Sequence, residues 1–588
     1  MRYHYFIVLA IAAAVYAGCI ISPPSLMDDV DAVQAQIARN MLTSGDWVTP
    51  RLDGVVYLEK APLIYWLIAI CFAIFGVHDW AARIPVVLSA LALAWITAAF
   101  GTWAFGRRAG MYAGICISTC LGLWLFTRIL IPDVTLTACI ALSMWAFLRA
   151  LDEEESHPRL WALVMAASLG LSLLMKSLIG VVFPCGTAVI YLAVTRRLFV
   201  ADTWRRLRPF SGALVALAIA APWHVLATLR NPPYFDFTMH SAAGEYHGFL
   251  WFFFINEQLL RFLNLRYPRD YDTMPRWFFW LGHFAWLFPW SVYFPAVARL
   301  NFRWNGRAGR VRFVALLWTA VILVFFTFST TQEYYSMPCY PALALLLGSA
   351  MAEENVWIRR ATRVLAVVLA VAALTTVSLY VMSRPYSAPG DISQALASNP
   401  AAYKLSLGHM GDLTIKSFAY LRTPLLVASI ALLLGAIGTM FFDGQRAFFA
   451  AALMAALFFQ AARLAMVAFD PYLSSRPLAE ALNRAPAGQL IVDHHYYTFS
   501  SIFFYTGRGA LLLNGRFHNL VYGSYAPDAP NVFINDEQWS KMWRSSSPYY
   551  IVVSGEEEPR LEKLVGRERL HVVAESGGKF LFANRLAK

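Results

Sequence analysis

Charge is what this chain has least of. Only 14% of its 588 residues are Asp, Glu, Lys or Arg, where a soluble protein carries about a quarter. That shortage excludes an ordinary soluble globule. Cysteine is sparse too. Cys19, Cys71, Cys116, Cys120, Cys139, Cys185 and Cys339 lie in or beside apolar segments, and none forms a Cys-x-x-Cys pair. This excludes a zinc ribbon or a disulfide framework and leaves them as small core residues. No two histidines have metalloprotease spacing, no repeat has a clear period, and no tract is of low complexity.

What the chain has is apolar length. Hydrophobic residues make up 59%, in runs near the ~20 residues that cross a bilayer. An integral membrane protein follows. Residues 6–21 have the length of a signal peptide, but no small-residue cleavage site follows and many further spans do, so they read as a retained first helix. The net charge of +12 sits largely in short loops between spans, where it sets orientation rather than binding nucleic acid.

Candidate spans are 3–21, 82–106, 109–127, 131–150, 160–175, 178–194, 209–228, 277–299, 311–329, 337–351, 361–381, 421–441 and 446–467, about thirteen by the length rule. The apolar run 62–77 is assigned to the interface instead. If it crossed, every later basic loop would fall outside. If it lies flat, four basic loops gather inside: Arg107-Arg108, 195–208 with five arginines, 299–312 with five more, and 359–363. The positive-inside rule selects the second arrangement. The first loop (22–81), the long loop (230–276) and the tail then lie outside, giving a membrane domain over 1–468 and an outer domain over 469–588.

The tail differs in composition. Its apolar runs shorten to strand length at 489–492, 549–553 and 570–574, with helical patterns at 536–544 and 558–565 between them. Strands alternating with helices predict a small α/β domain.

The most unusual charge is in the first loop. Asp28, Asp29 and Asp31 follow the first helix, and Glu59-Lys60 precedes the interfacial run. Uncompensated charge at a bilayer is costly and marks function. The stretch Ile37-Ala38-Arg39-Asn40-Met41-Leu42, then Gly45-Asp46-Trp47-Val48-Thr49-Pro50, then Tyr57-Leu58-Glu59-Lys60-Ala61-Pro62-Leu63 resembles the first outer loop of the bacterial lipid A aminoarabinose transferases. Their wider group includes the protein O-mannosyltransferases. Trp80 to Pro85, Pro132-Asp133, Ala221-Pro222-Trp223, Glu257 to Phe262 and Tyr334 to Pro341 fit the same superfamily. The chain departs from it at Ala61, where proline is usual, at Gln258 in place of histidine, and at 331–333, where lysine is common.

The resemblance implies a fold of the GT-C type: an α-helical integral membrane protein with interfacial helices and a small C-terminal α/β periplasmic domain. It implies a glycosyltransferase of the bacterial inner membrane. The enzyme moves an aminoarabinose- or hexose-like sugar from a polyprenyl phosphate, such as undecaprenyl phosphate, to a lipid A, protein or glycan acceptor. The expected partners are the donor, the acceptor and membrane lipids. The expected state is a monomer, with no nucleic acid.

Breaking the donor's glycosidic bond leaves a phosphate dianion, which fixed cations stabilise. Lys60 is the first candidate for this. Arg261 can grip phosphate through two parallel hydrogen bonds, and Tyr335 can donate one. Each also has a plain reading, Lys60 as an interfacial lysine and Tyr335 as an aromatic-belt residue. A hydroxyl acceptor needs a base, for which Asp31, Asp29 and Asp133 are the candidates. Asp133 reads equally as a helix N-terminal carboxylate. Glu59 either orients Lys60 or, with a long-loop histidine among His224, His240 and His247, ligates a divalent metal cation. His494-His495 reads as surface. A transporter or flippase of lipid-linked sugars is the alternative function, but transporters carry internal repeats and midplane polar groups. A tail acting as a binding module on an inert anchor is a third.

Overall fold

The computed structural model describes residues 3–21, 24–269, 273–397 and 411–585. Residues 22–23 of the first loop and 270–272 of the long loop lie outside that description. Among the described residues, nine helices are long and apolar enough to cross a membrane. The bent pair Arg107–Ser118 and Leu121–Thr127 makes a tenth. Three further expected spans are present as shorter helices. They are Ile179–Val194, Tyr340–Ala352, and the segment after Arg276, which breaks into Arg276–Trp286, Trp290–Tyr293 and Phe294–Val297. Pro289 and Pro295 interrupt that last segment, each removing an N–H that an unbroken helix would use. The chain is a multi-span membrane protein. Helix Leu63–Phe75, at 13 residues, is too short to span, as an interfacial segment requires.

Small residues set the tightest helix contacts. A Cβ on Gly114 would lie 2.8 Å from Val8 and from Ala98, and one on Gly110 would collide with Thr102. Close approach of this kind replaces the hydrophobic drive that lipid cannot supply. The lipid-facing helices show the converse pattern: only 22% of the apolar window of Val356–Ser383 is buried in the protein. At one end of the bundle the basic loops are held together by ion pairs. Arg307 meets Asp152 at 2.7 Å, Arg312 meets Glu353 at 2.7 Å, and Arg108 meets Glu354.

The first loop carries helix Val30–Ser44 and a two-strand hairpin, β1 (Arg51–Leu52) and β2 (Val55–Val56). The tail holds six strands, β3 (Gln489–Asp493), β4 (Ala510–Leu513), β5 (Phe533–Ile534), β6 (Tyr549–Ser554), β7 (His571–Ser576) and β8 (Lys579–Ala583). Their order is β5-β4-β3-β6-β8-β7. The first four run parallel, with Leu490 opposite Ala510 and Tyr550, while β6, β8 and β7 pair antiparallel. Helices Asp536–Trp543 and Glu558–Val565 bury Trp539, Trp543 and Leu561 against Ile491, Ile551 and Phe582. The α/β region expected from the alternating pattern is therefore present.

This region is bolted to the first loop. Asp28 accepts hydrogen bonds from Ser501 N at 2.7 Å, Ser475 Oγ at 2.7 Å and Lys579 Nζ at 2.6 Å. Ser25 Oγ donates to Asp470 at 2.6 Å, and Leu26 N donates to Tyr505 at 2.8 Å. The first loop and the tail thus lie on the same side of the bundle.

Candidate active site

A cavity of about 100 Å³ opens where the end of the first loop, the long loop and three helix ends meet. Lys60 and Glu59 reach it from the loop end. Asp133 reaches it from the first turn of helix Asp133–Leu151, and Lys176 from the last turn of Pro158–Lys176. Arg261 and Glu257 come from the long loop, and Tyr335 from the turn at Glu333–Cys339. Lys60, Glu59, Arg261, Tyr335 and Asp133, far apart in sequence, therefore share one wall.

The cations are held by carboxylates on their outer sides. Glu257 pairs with Arg261 at 2.8 Å and with Arg266. Glu59 lies 3.7 Å from Lys60 Nζ and 3.9 Å from Arg261 Nη1. It accepts from the Tyr57 hydroxyl and from Asn519 Nδ2, the latter at 2.7 Å. Burial alone would raise the Glu59 pKa, but Lys60, Arg266 and Arg261 outweigh it and bring the carboxyl to about 2. Glu59 is therefore ionised and holds the cations in place. Lys60 keeps only this distant contact among the described residues, so its ammonium donors are not consumed by the protein.

Asp133 is buried and accepts from Lys176 Nζ at 2.7 Å through Oδ1, while its Oδ2 has no hydrogen-bond partner among the described residues. Lys176 also sits 4.9 Å from the ring centres of Tyr334 and Tyr335, within cation–π range. Asp133 stands in the first turn of its helix and is paired with Lys176 as well. It is a fixed acceptor with one oxygen to spare.

Two expected candidates are elsewhere. Asp31, 1% exposed, takes Leu130 N at 3.0 Å on one oxygen and Arg83 at 3.3 Å on the other. Burial raises its pKa despite Arg83. It fastens the first loop to the segment just before Asp133 and does not line the cavity. Asp29, at φ 74°, precedes helix Val30–Ser44, and its N–H donates to Tyr497 O at 2.7 Å and Ser500 Oγ at 2.9 Å. It belongs to the joint with the tail. Neither lines the cavity, and the Asp31 carboxylate and the Asp29 N–H serve as anchors.

The surroundings of Glu59 bear on the expected divalent cation. Its carboxylate is ringed by Lys60, Arg261 and Arg266, and among the described residues no group of three metal-ligating side chains includes it. His247 binds Asp236 at 2.6 Å and His224 bonds Ala220 O at 2.8 Å, so neither of these long-loop histidines turns to Glu59. The residues present do not fit a metal ion at Glu59.

Two site residues escaped the sequence reading. Lys176 ends an apolar run and reads as a lysine reaching for the interface. Its only signal is that a basic residue ends an outward-running span. Asn519 lies in the tail with no motif around it. It bonds Glu59 and also accepts from Arg266, so the tail reaches the catalytic cluster directly. Tyr522, three residues on, fixes the long loop by donating to Gly248 O at 3.0 Å and accepting from His247 N at 2.9 Å. Gly523 packs so tightly on β2 that a Cβ there would meet Val56 O at 2.1 Å.

A bundle of spans, a short-helix first loop, a cation-rich cavity at one end of the bundle and an α/β tail together define a multi-span membrane fold with an outer domain packed on its loops. The chain matches the family described as dolichyl-phosphate-mannose-protein mannosyltransferase over residues 59–225. It is 31% identical over 333 residues to the undecaprenyl phosphate-alpha-4-amino-4-deoxy-L-arabinose arabinosyl transferase of Pseudomonas aeruginosa (strain LESB58), covering 54% of each chain. A relative of the same description from Pseudomonas fluorescens (strain Pf-5) is 30% identical over 362 residues, 60% of this chain and 57% of that one. The matched stretch spans about half the length of these curated relatives. In fold the likeness runs the whole length. The crystal structure of ArnT from Cupriavidus metallidurans bound to undecaprenyl phosphate superposes with a TM-score of 0.79 at 22% identity, covering 99% of this chain and 98% of that one. The oligosaccharyltransferase of Archaeoglobus fulgidus is more distant, with a TM-score of 0.52 at 12% identity, covering 99% of this chain and 74% of that one.

Proposed function

We propose that this chain is a glycosyltransferase that takes its sugar from a polyprenyl phosphate, undecaprenyl phosphate in a bacterial inner membrane. The acceptor is lipid A, a protein or a glycan on the periplasmic face. Residues 1–468 form the catalytic unit, and residues 469–588 brace its site through Asn519, which bonds Glu59 and Arg266. The observation that carries this reading is the meeting of Lys60, Arg261 and Tyr335 with the Asp133–Lys176 pair in one cavity. The gathering of the basic loops at one end of the bundle supports the orientation.

In this reading Lys60, Arg261 and Tyr335 bind the donor's phosphodiester. The acceptor oxygen attacks the anomeric carbon, and the bond from that carbon to the phosphate oxygen breaks. The bonding pair stays on the phosphate, whose second negative charge Lys60 and Arg261 stabilise. With a hydroxyl acceptor, the proton passes to Asp133 Oδ2, while Lys176 keeps Asp133 oriented. With a phosphate acceptor no proton has to move. The role of a transporter finds less support, because the charged residues crowd one face rather than the midplane.

The test uses purified protein, a radiolabelled undecaprenyl phosphate sugar and candidate acceptors. Label should move to an acceptor and should cease to move in Lys60→Ala. Label that crosses a vesicle membrane while still on its carrier would instead establish the transporter.

A further inference from the structure

The long loop enters the catalytic cavity on a π-helix, Trp251–Leu260, ten residues long. Its backbone bonds reach to the fifth residue back. Arg261 N donates to Asn256 O, and Leu265 N donates to Leu260 O at 2.7 Å. Such winding is rare beyond a single turn and is frequent at functional sites. Here it decides which side chains reach the cavity. Phe253, Glu257, Gln258, Arg261 and Phe262 all line it. At the α-helical ~100° per residue, Gln258 would stand about 140° round from Phe253, and Phe262 about 180°. Bonds to the fifth residue open the coil, so residues four and five apart share a face. Gln258 and Phe262 thereby join Phe253 and Arg261 on one wall.

The charged side chains of this cavity already have partners. Lys60 faces Glu59 at 3.7 Å, Arg261 pairs with Glu257 at 2.8 Å, and Lys176 pairs with Asp133 at 2.7 Å. Gln258 is uncommitted. Its side-chain amide makes no hydrogen bond among the described residues. The residue is partly exposed, and neither amide atom is shut into the interior. The amide offers two donors and an acceptor and carries no charge. Arg261, three residues on, is a helical neighbour at about 5–6 Å. With the donor's phosphate on Arg261, two groups lie within that reach, the sugar on one side and the isoprenoid chain on the other. An isoprenoid has nothing for an amide to bond, and covering the amide with it costs about 1–3 kcal/mol. A ring hydroxyl, both donor and acceptor, matches it.

We propose that Gln258 is a specificity-determining residue, whose amide hydrogen-bonds a ring hydroxyl of the transferred sugar. The inference rests on the glycosyltransferase reading and names the side chain that reads its donor. The π winding sets the amide one turn from the phosphate-gripping guanidinium, so sugar and phosphate are read from a single face of the long loop.

The test is equilibrium binding to the full chain in phospholipid nanodiscs, with no acceptor present. The probes are undecaprenyl phosphate and the same carrier bearing glucose, mannose or 4-amino-4-deoxyarabinose. At least one sugar-bearing carrier should bind the native protein more tightly than the bare carrier. Its affinity should fall about five- to a hundredfold in Gln258→Ala, as for one lost hydrogen bond. Gln258→Met, which keeps the length and the helix propensity, should lose as much at unchanged Tm, and covers the case in which the alanine variant folds poorly. The bare carrier should bind both variants as it binds the native protein. An equal loss for the bare carrier would make Gln258 a phosphate, chain or scaffold contact and overturn the proposal. So would donor binding unchanged in both variants, or no sugar-bearing carrier that binds better than the bare one. Failure of the label-transfer assay, with Gln258-dependent sugar binding intact, would sink the glycosyltransferase reading and leave the sugar contact standing.

Discussion

Asp28, Asp29 and Asp31 open the first loop, and Glu59 and Lys60 close it. At the opening, both oxygens of Asp28 and of Asp31 are engaged by backbone or side-chain partners. At the close, Lys60 keeps one distant contact among the described residues, and across the cavity Asp133 Oδ2 has no hydrogen-bond partner among them. The charge is denser at the opening, yet the cavity is at the close. In a buried polar region each unpaired donor or acceptor costs energy, so a group left unpaired is a stronger pointer to chemistry than a crowd of satisfied ones.

The sharpest way to break this contrast is to neutralise one aspartate of each kind. With a hydroxyl acceptor, Asp133→Asn should slow transfer by about 10²–10⁴-fold with little change in Tm. With a phosphate acceptor the loss should stay below about tenfold, since no base is needed. Asp31→Asn should do the opposite. It leaves Arg83 without its partner, which costs about 3–5 kcal/mol for a buried pair, so Tm should fall while the surviving folded protein turns over. A large rate loss in Asp31→Asn at unchanged Tm would return the base to the opening of the loop.

Lys60→Ala comes next in size. Losing one preorganised contact to the leaving phosphate costs about 2–4 kcal/mol, or roughly thirty- to a thousandfold in kcat. Lys60→Arg should recover only part of this, because a planar fork presents its charge differently. Near-native turnover in Lys60→Ala would remove the centre of the site.

Asn519→Ala tests whether the tail acts on the cavity. It deletes bonds to Glu59 and Arg266, each group being left short of a partner at about 1–3 kcal/mol. Transfer should drop about five- to a hundredfold, and Asn519→Gln should recover little of it. Unchanged kinetics would reduce the tail to a scaffold.

The smallest effect is in pH dependence. Glu59 has its folded pKa lowered from 4.5 to about 2. Its contribution to stability is therefore fully present above about pH 4.5 and is lost as pH falls towards 2. Glu59→Gln should flatten that part of the acid-unfolding curve, as followed by tryptophan fluorescence. An unchanged acid limb would show that Glu59 is not held by its cations.

Much of this architecture was legible because lipid imposes simple rules. Apolar length located the spans, and the basic loops fixed which apolar run lies flat. The broken segment after Arg276 was not legible as such, since hydropathy continues across Pro289 while the helix does not. Lys60, Arg261 and Tyr335 stood out as polar residues beside apolar runs. Lys176 did not, because a lysine closing a span is commonplace. That Asp31 lies off the cavity was not legible, because charge density in sequence says nothing about who neutralises it. Strands β4, β5 and β8 were missed because they are short and lack clean alternation.

The Asn519 amide lies more than 250 residues after the arginine it binds. A ribosome finishes the spans, the first loop and the long loop before that amide exists. Until the tail has been made and has docked, Glu59 and Arg266 lack the amide they share. The order of synthesis thus leaves this part of the cavity's support to be completed last.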